Sequence, residues 1–310
     1  MQLIRGMHNF HRQFGRCALT IGNFDGVHLG HQAILRHLRS KANALHLPMV
    51  VMLFEPQPRE YFMGENAPAR LMRLRDKLHY LAKEGVDYVI CLRFNRRFAR
   101  QSAASFIEDV LVNRLHVKFL SIGDDFRFGA RRQGNFALLA EAGRKFGFEV
   151  EDNHTFSLAQ LRVSSTSVRQ ALAEDNLVQA ERLLGKPYSI LGKVVHGQKL
   201  GRTIGFPTAN IRLRRQVNPV KGVYAVRVKC SCGGVFEGVA NVGQRPTVNG
   251  VKQILEVHLF DFNDNLYGQN ISVEFCHKLR NEIKFPSFEE LKLQIQKDVV
   301  NAKAFFADRA

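Results

Sequence analysis

Cys17-Ala-Leu-Thr-Ile21 and Met49-Val-Val-Met-Leu-Phe54 are apolar runs of strand length with almost no polar break, the pattern of strands covered on both faces. Between them Ala33-Ile-Leu-Arg-His-Leu38 opens a helical pattern that runs to about Ala44. Leu71, Leu74, Leu78 and Leu81 then recur at helical spacing before a Gly85 cap, and Asp87–Leu92 reads as the next strand. Ser102 is placed to cap a helix carrying Phe106, Val110 and Leu111, and Val117–Ile122 is a further strand. Strands alternating with helices predict a parallel sheet flanked by helices.

From Gly185-Lys-Pro187 onward the period changes to two. Tyr224, Val226 and Val228 share a face, Ser231-Cys-Gly-Gly234 turns the chain, and Val235–Val242 returns as the second arm of a hairpin. Leu255, Val257 and Leu259 alternate with Glu256 and His258, and Ile271, Val273 and Phe275 alternate again. Such strands without crossover helices predict a small antiparallel barrel. A capping box at Ser287-Phe-Glu-Glu290 opens a last helix, whose stripe of Phe288, Leu291 and Ile295 is expected to be core. The change of period divides the chain into residues 1–183 and 184–310.

Composition narrows the class. With 310 residues, 45% hydrophobic and 24% charged, the chain reads as an ordinary globular protein of two domains. No apolar run reaches bilayer length, and the start lacks a signal-peptide core, so a cytoplasmic protein is expected, with no membrane partner. Five cysteines without a C-x-x-C pair suggest neither a disulfide framework nor a zinc site, and buried free thiols are expected. The formal charge of +17 is spread over both parts, +8 in residues 1–183 and +9 in 184–310. A nucleic-acid footprint is more often concentrated, so nucleotides are the expected anionic partners and nucleic acid is not.

The chemistry collects at a few turns. Ile21-Gly-Asn-Phe-Asp-Gly-Val-His-Leu-Gly-His-Gln32 lies where a strand gives way to a helix. Glycines there let a backbone bend or a ligand come close, and the helix start supplies unpaired N–H groups, so the turn suits a phosphate. His28 and His31 are three apart and share a face if the helix begins near Leu29. A glycine-rich loop with two surface histidines is the plain alternative. After the strand ending at Ile122 comes Gly123-Asp-Asp-Phe-Arg-Phe-Gly-Ala-Arg-Arg-Gln-Gly134, which combines carboxylates, aromatic faces and guanidinium groups. Val163-Ser-Ser-Thr-Ser-Val-Arg169 is a hydroxyl-rich helix start. In the second half, His196-Gly-Gln-Lys-Leu-Gly-Arg-Thr-Ile-Gly-Phe-Pro-Thr-Ala-Asn-Ile211 is a glycine-rich segment in which Thr208 and Asn210 can offer oxygens to Mg²⁺ from one side.

The first dodecamer resembles the signature of the H-x-G-H nucleotidyltransferases, and within them the FMN adenylyltransferase half of the bacterial bifunctional riboflavin kinase/FAD synthetases. The segments at 123–134 and 163–169 resemble two further motifs of that family. Gly-Arg-Thr-Ile-Gly-Phe-Pro-Thr-Ala-Asn210 resembles the riboflavin kinase signature, and Pro219–Tyr224, Gly243–Thr247, Leu255–Phe262 and Leu279–Phe285 follow in the family's order. The resemblance implies a Rossmann-like α/β domain followed by a β-barrel with a C-terminal helix. It implies two reactions: riboflavin and ATP give FMN and ADP, and FMN and a second ATP give FAD and pyrophosphate.

For the adenylyltransferase it implies His28 and His31 as catalytic, with Gly22, Asn23, Phe24, Asp25, Gly26, Gly30, Ser164, Ser165, Thr166 and Arg169 on ATP, and Asp125, Phe126, Phe128 and Arg132 on FMN. For the kinase it implies Glu256 as base and flavin contact, Arg280 on the flavin, and Gly197, Gly201, Arg202, Thr208 and Asn210 on ATP, the last two also on Mg²⁺. Many relatives carry His where Gln57 stands, so Gln57 is given no catalytic role. No Walker A or G-x-G-x-x-G sequence is present. Two alternatives stay open at this point. Another H-x-G-H adenylyltransferase with a regulatory barrel would not phosphorylate riboflavin, and an RNA-binding protein would show steep salt dependence without ATP turnover.

Overall fold

The computed structural model describes all residues except 11–13, 124, 154–156, 159–160, 198–199, 214–216, 231–232, 248–249 and 310. Asp124, Gln198, Lys199, Ser231 and Cys232, singled out above, thus lie outside the described residues. The chain divides into two compact units, Met1–Pro68 with Met72–Ser165, and Ala69–Leu71 with Thr166–Ala310.

The first unit is built on a six-stranded, all-parallel sheet. Its strands are β1 Gln2–Arg5, β2 Cys17–Ile21, β3 Met49–Glu55, β4 Tyr88–Arg93, β5 Val117–Ile122 and β6 Glu149–Asp152, in the order β1-β4-β3-β2-β5-β6. The helices are α1 Leu29–Ala44, α2 Pro58–Met63, α3 Leu74–Lys83, α4 Arg96–Ala99, α5 Ala103–Ser105 and α6 Phe136–Phe146. Ser102 does cap α5, its hydroxyl accepting from Ser105 N at 3.0 Å, but the helix continues as a π-helical stretch over Phe106–Val112. Both faces of the sheet are covered: Cys17, Leu19, Ile21, Val50 and Met52 pack toward the π-helix and α6, while Ala18, Met49, Val51 and Leu53 pack toward α1 and α3. That double covering is why β2 and β3 read as unbroken apolar runs. The chain builds outward from β2 on one side and then crosses to β5 on the other, so the carboxyl ends of β2 and β5 flank the point where strand order reverses, the usual ligand crevice of such sheets.

A two-residue pair, β7 Ser157–Leu158 and β8 Leu161–Arg162, precedes the second unit. From Thr166 on, α7 Ser165–Ala173 belongs to that unit, as does α8 Leu177–Leu184. A closed antiparallel barrel follows, formed by β9 Ser189–Val195, β10 Ala209–Arg212, β11 Gly222–Cys230, β12 Val235–Thr247, β13 Gly250–Leu259 and β14 Asn270–Arg280 in the order β10-β13-β12-β11-β14-β9. The short α9 Leu200–Thr203 lies between β9 and β10, and α10 Phe288–Ala307 closes the chain. Tyr224, Val226, Val228, Leu255, Val257, Ile271, Val273 and Phe275 are buried, as their alternation requires. The opposite wall face carries Val223, Ala225 and Val239, which cluster with Ala302 and Phe306 of α10.

The helical pair α7–α8 is tied to the barrel through Asp175. Its carboxylate accepts from Lys278 Nζ at 2.7 Å and lies 3.1 Å from the Tyr224 hydroxyl, which is also 2.9 Å from the Lys221 carbonyl. Burial first, and then the Asp175 charge, push the Tyr224 phenol upward, so it stays a neutral donor. The cysteine expectation needs correction. Cys17 and Cys91 are buried free thiols and Cys276 is a half-buried one, but Cys230 is disulfide-bonded. No described helix is long and apolar enough to cross a membrane.

Candidate functional site

In the first unit, the turn after β2 bends through three residues with positive φ: Phe24 (46°), Gly26 (92°) and Val27 (41°). Two of them are not glycine, and backbone held this way persists only where its surroundings fix it. The fixing contacts are specific. The Asp25 carboxylate accepts from Met72 N at 3.0 Å, the Asp25 carbonyl accepts from Ser165 Oγ at 2.8 Å, and Lys77 Nζ donates to the Asn23 carbonyl. Asp25 and Lys77 are each 1% exposed. The Asp25 side chain is thus turned inward and braces the turn. Lys77, which sequence reasoning missed, holds the same turn from beneath, and nothing in the helical pattern around it marked it as buried.

His28, 4% exposed, caps α1 with its ring: Nδ1 accepts from His31 N at 3.3 Å. An acceptor at Nδ1 leaves the proton on Nε2, so the far side of the ring is a donor. The His28 and His31 rings stack with centroids 3.6 Å apart and planes at 19°, and Phe24 lies 4.9 Å from His31. The two histidines are thus brought together at the amino end of a 16-residue helix, where the dipole favours an anion. The missing side chains matter here. A Cβ on Gly30 would lie 3.0 Å from the Val163 carbonyl and 3.2 Å from the His28 ring, and one on Gly22 would lie 3.1 Å from the Phe24 ring. Val163 to Ser165 is therefore packed against the histidine turn. Thr166 and Arg169 belong to the second unit, where Arg169 Nε donates to the Ala69 carbonyl at 2.6 Å.

The loop after β5 folds back on itself through a bridge between Phe128 and Gly134. Asp125 and Arg132 are exposed and Phe126 is half-buried, all three available to a ligand. Phe128 differs from expectation. It is buried and packs on Phe106 at 5.4 Å, stacked behind Phe126 at 5.6 Å, so it backs the loop instead of offering a free face. Beyond the carboxyl ends of β3 and β4 lies an aromatic cluster the sequence reading missed: Tyr61, Phe62 and Phe94, with mutual centroid distances of 5.1–5.6 Å, and Phe62 is 68% exposed. Its signal was available, because aromatics directly after two strands sit where ligands collect in this architecture. Gln57 is buried at the start of α2, its backbone N–H donating to the Glu60 carboxylate at 2.9 Å.

In the second unit, one lateral row of the barrel wall carries three of the expected kinase residues, Asn210, Glu256 and Arg280. Asn210 pairs with Glu256, Glu256 with Asn241, Asn241 with Val223, and Val223 with Arg280 across five neighbouring strands. All five line a cavity of about 330 Å³ whose other side is α10, through Phe288, Leu291 and Ile295. This corrects the reading of that stripe as core: it is apolar because it walls a cavity. The cavity lies against the outer face of the barrel, while Leu255, Val257 and Tyr224 fill the inside.

Arg280 donates from Nε and Nη2 to Asp298 at 2.8–3.1 Å and from Nη1 to the Asn281 carbonyl at 3.0 Å. Asp298 is 2% exposed. The guanidinium is therefore fixed in place, with its plane 5.6 Å from the Phe285 ring. Asn210 Nδ2 lies 3.4 Å from Thr208 Oγ1, so the two proposed oxygen donors are adjacent. A Cβ on Gly197 would meet the Asn210 carboxamide at 2.5 Å, and one on Gly201 would meet the Phe206 carbonyl at 2.2 Å. A second cavity of about 500 Å³, lined by Arg202, Thr208, Asp264 and Tyr267 among others, shares Thr208 with the first. His196 stacks on Tyr267 at 4.0 Å and Arg202 lies 6.0 Å from the same ring. Among the described residues there is no cluster of three or more His, Cys, Asp or Glu that would hold a metal by itself.

Comparison with known proteins follows the same division. The family model for FAD synthetase matches residues 11–167, and that for riboflavin kinase matches residues 184–306. A bifunctional riboflavin kinase/FMN adenylyltransferase of Haemophilus influenzae is 69% identical over 99% of both chains. One from Escherichia coli K12 is 58% identical over 99% of this chain and 98% of its own. A crystal structure from Streptococcus pneumoniae, described as a macrolide-efflux protein, superposes with a TM-score of 0.77 at 29% identity, covering 96% of this chain and 97% of its own.

Proposed function

Since the chain belongs to the bifunctional riboflavin kinase/FMN adenylyltransferase family, and so makes FMN and FAD, we propose the following division of labour among its residues. FMN adenylylation is carried by the turn after β2. The helix start and the His28 Nε2–H, with His31 stacked behind it, face the phosphates of ATP, and the FMN phosphate attacks the α-phosphorus. Gly22, Asn23, Phe24, Gly26 and Gly30 shape the cradle. Ser164 and Ser165 continue it, and Thr166 and Arg169 are assigned to ATP by their match to the family motif. Asp125, Phe126 and Arg132 receive FMN, and the exposed ring of Phe62, with the half-buried Phe94 beside it, offers further surface to a flat ring system.

Riboflavin phosphorylation is carried by the row Asn210–Glu256 and the cavities on either side of Thr208. Riboflavin occupies the apolar cavity under α10, beside the fixed Arg280, and ATP occupies the neighbouring one, with Gly197, Gly201 and Arg202 around its phosphates. Glu256 takes the proton from the reacting hydroxyl. Two neutral oxygens at Thr208 and Asn210 suit a small hard cation that retains water and phosphate ligands, so Mg²⁺ would be held there and would orient the transferred phosphoryl group.

The observation that carries this reading is that His28 and Glu256 lie in different compact units. The two half-reactions must therefore come apart. Glu256→Gln keeps shape and removes the proton acceptor, so FMN formation should fall by roughly two to four orders of magnitude, the usual worth of a positioned base. FAD formation from supplied FMN should continue, because its attacking phosphate is already ionised. Parallel loss of both in a protein with an unchanged melting temperature would refute separate sites.

A further inference from the structure

Asn241 stands directly across from Glu256 in the β12–β13 register, on the face that lines the cavity under α10. Its Oδ1 is buried and has no hydrogen-bond partner among the described residues. A buried carbonyl oxygen left without a donor is destabilising, and in a cavity wall such an atom usually awaits the donor that a ligand brings. The surrounding wall is largely apolar: Val223, Val239, Ile283, Phe285 and the α10 stripe. Directly paired cross-strand side chains lie roughly 5 Å apart at Cβ, a span that hydroxyls along one polyol chain bridge. We propose that Asn241 determines specificity for the polyol arm of the flavin, its Oδ1 accepting a hydrogen bond from a hydroxyl other than the one that reacts at Glu256.

The inference rests on the reading of this cavity as the flavin site of the kinase. A carboxamide suits the task because it accepts at one atom and donates at the other without a charge, so it binds a hydroxyl without perturbing the neighbouring carboxylate. The flat ring system would lie against apolar walls and owe nothing to Asn241. The polyol arm would owe it one hydrogen bond.

The test uses the full chain with Asn241→Ala. KM for riboflavin in FMN formation is measured alongside the inhibition constant of lumiflavin, which has the ring system and no polyol. Riboflavin KM should rise roughly tenfold, the worth of one well-made hydrogen bond, with kcat within about threefold and lumiflavin inhibition unchanged. Equal weakening of both ligands would make Asn241 structural and overturn the proposal, as would an unchanged KM. If the Ala variant does not fold, riboflavin analogues each lacking one non-reacting hydroxyl are tested as inhibitors of the wild type. One analogue should bind roughly tenfold more weakly, and uniform binding across the series would overturn the proposal. Failure of the underlying reading shows itself differently: lumiflavin would not compete with riboflavin at all.

Discussion

His28 uses the two nitrogens of one ring for different purposes. Nδ1 accepts the His31 N–H and closes the start of α1, and that bond leaves the ring proton on Nε2. Replacing it by alanine removes a cap and a preorganised donor together. FAD formation from supplied FMN should then fall roughly a hundred- to a thousandfold, about the effect of deleting one transition-state donor. Asn at the same place should retain more, since it still caps a helix and still donates. Near-normal FAD formation by His28→Ala would reduce the ring to its capping role. At this scale the sequence spoke clearly where a residue type is tied to a backbone need, as at Gly30, where a Cβ would crowd the Val163 carbonyl at 3.0 Å and the His28 ring at 3.2 Å. It was silent on Lys77 and on the inward turn of Asp25. Both are charged residues that their neighbourhood alone turns inward, and Met72, which holds the Asp25 carboxylate, is 47 residues away.

Periodicity says which face of an element is apolar and not what covers it. The stripe on α10 was legible as Phe288, Leu291 and Ile295, yet the same stripe serves equally for a core or a cavity wall, and only the distance between α10 and β12–β13 separates the two. The barrel strands were more informative, because the alternation of Leu255, Val257 and Leu259 fixed Glu256 and His258 on the other face. Pairing register, which no single strand reveals, then placed Asn210 and Asn241 on either side of Glu256. The segment joining β9 to β10 behaves as an element of this kind. Its Gly201 sits where a Cβ would fall 2.2 Å from the Phe206 carbonyl, and Phe206 N returns a hydrogen bond to the Gly201 carbonyl at 2.7 Å. Gly201→Ala must open that turn and displace Thr208, two residues beyond Phe206. Loss of riboflavin phosphorylation by at least about a hundredfold is expected, the scale on which small misplacement of a positioning group acts, with FAD synthesis from FMN intact. A variant that phosphorylates riboflavin normally would show that the turn tolerates opening.

At the scale of the whole chain, the change of period near Gly185 marks where the barrel begins, and the match to the riboflavin kinase family also starts at residue 184. The compact unit that contains the barrel nevertheless reaches back to Thr166. Ala180, Leu183 and Leu184 are buried, and Asp175 meets Lys278 and Tyr224 of the barrel wall. Helical spacing groups this pair of helices with the α/β half because their period resembles their neighbours in sequence, whereas Asp175 bonds to the barrel wall. A fragment beginning at Leu184 would leave Tyr224 without its carboxylate and expose the surface that α8 covers. Both fragments should phosphorylate riboflavin and make no FAD, since the histidine turn is absent from each. The fragment from Thr166 should melt higher than the one from Leu184 by at least about 5 °C, the shift that one to two kcal/mol produces in a domain of this size. Thermal unfolding of the two, followed by flavin separation after incubation with riboflavin, ATP and Mg²⁺, reads both quantities. Equal melting temperatures would make α7–α8 an appendage of the barrel, and FAD from either fragment would overturn the assignment of adenylylation to the first unit.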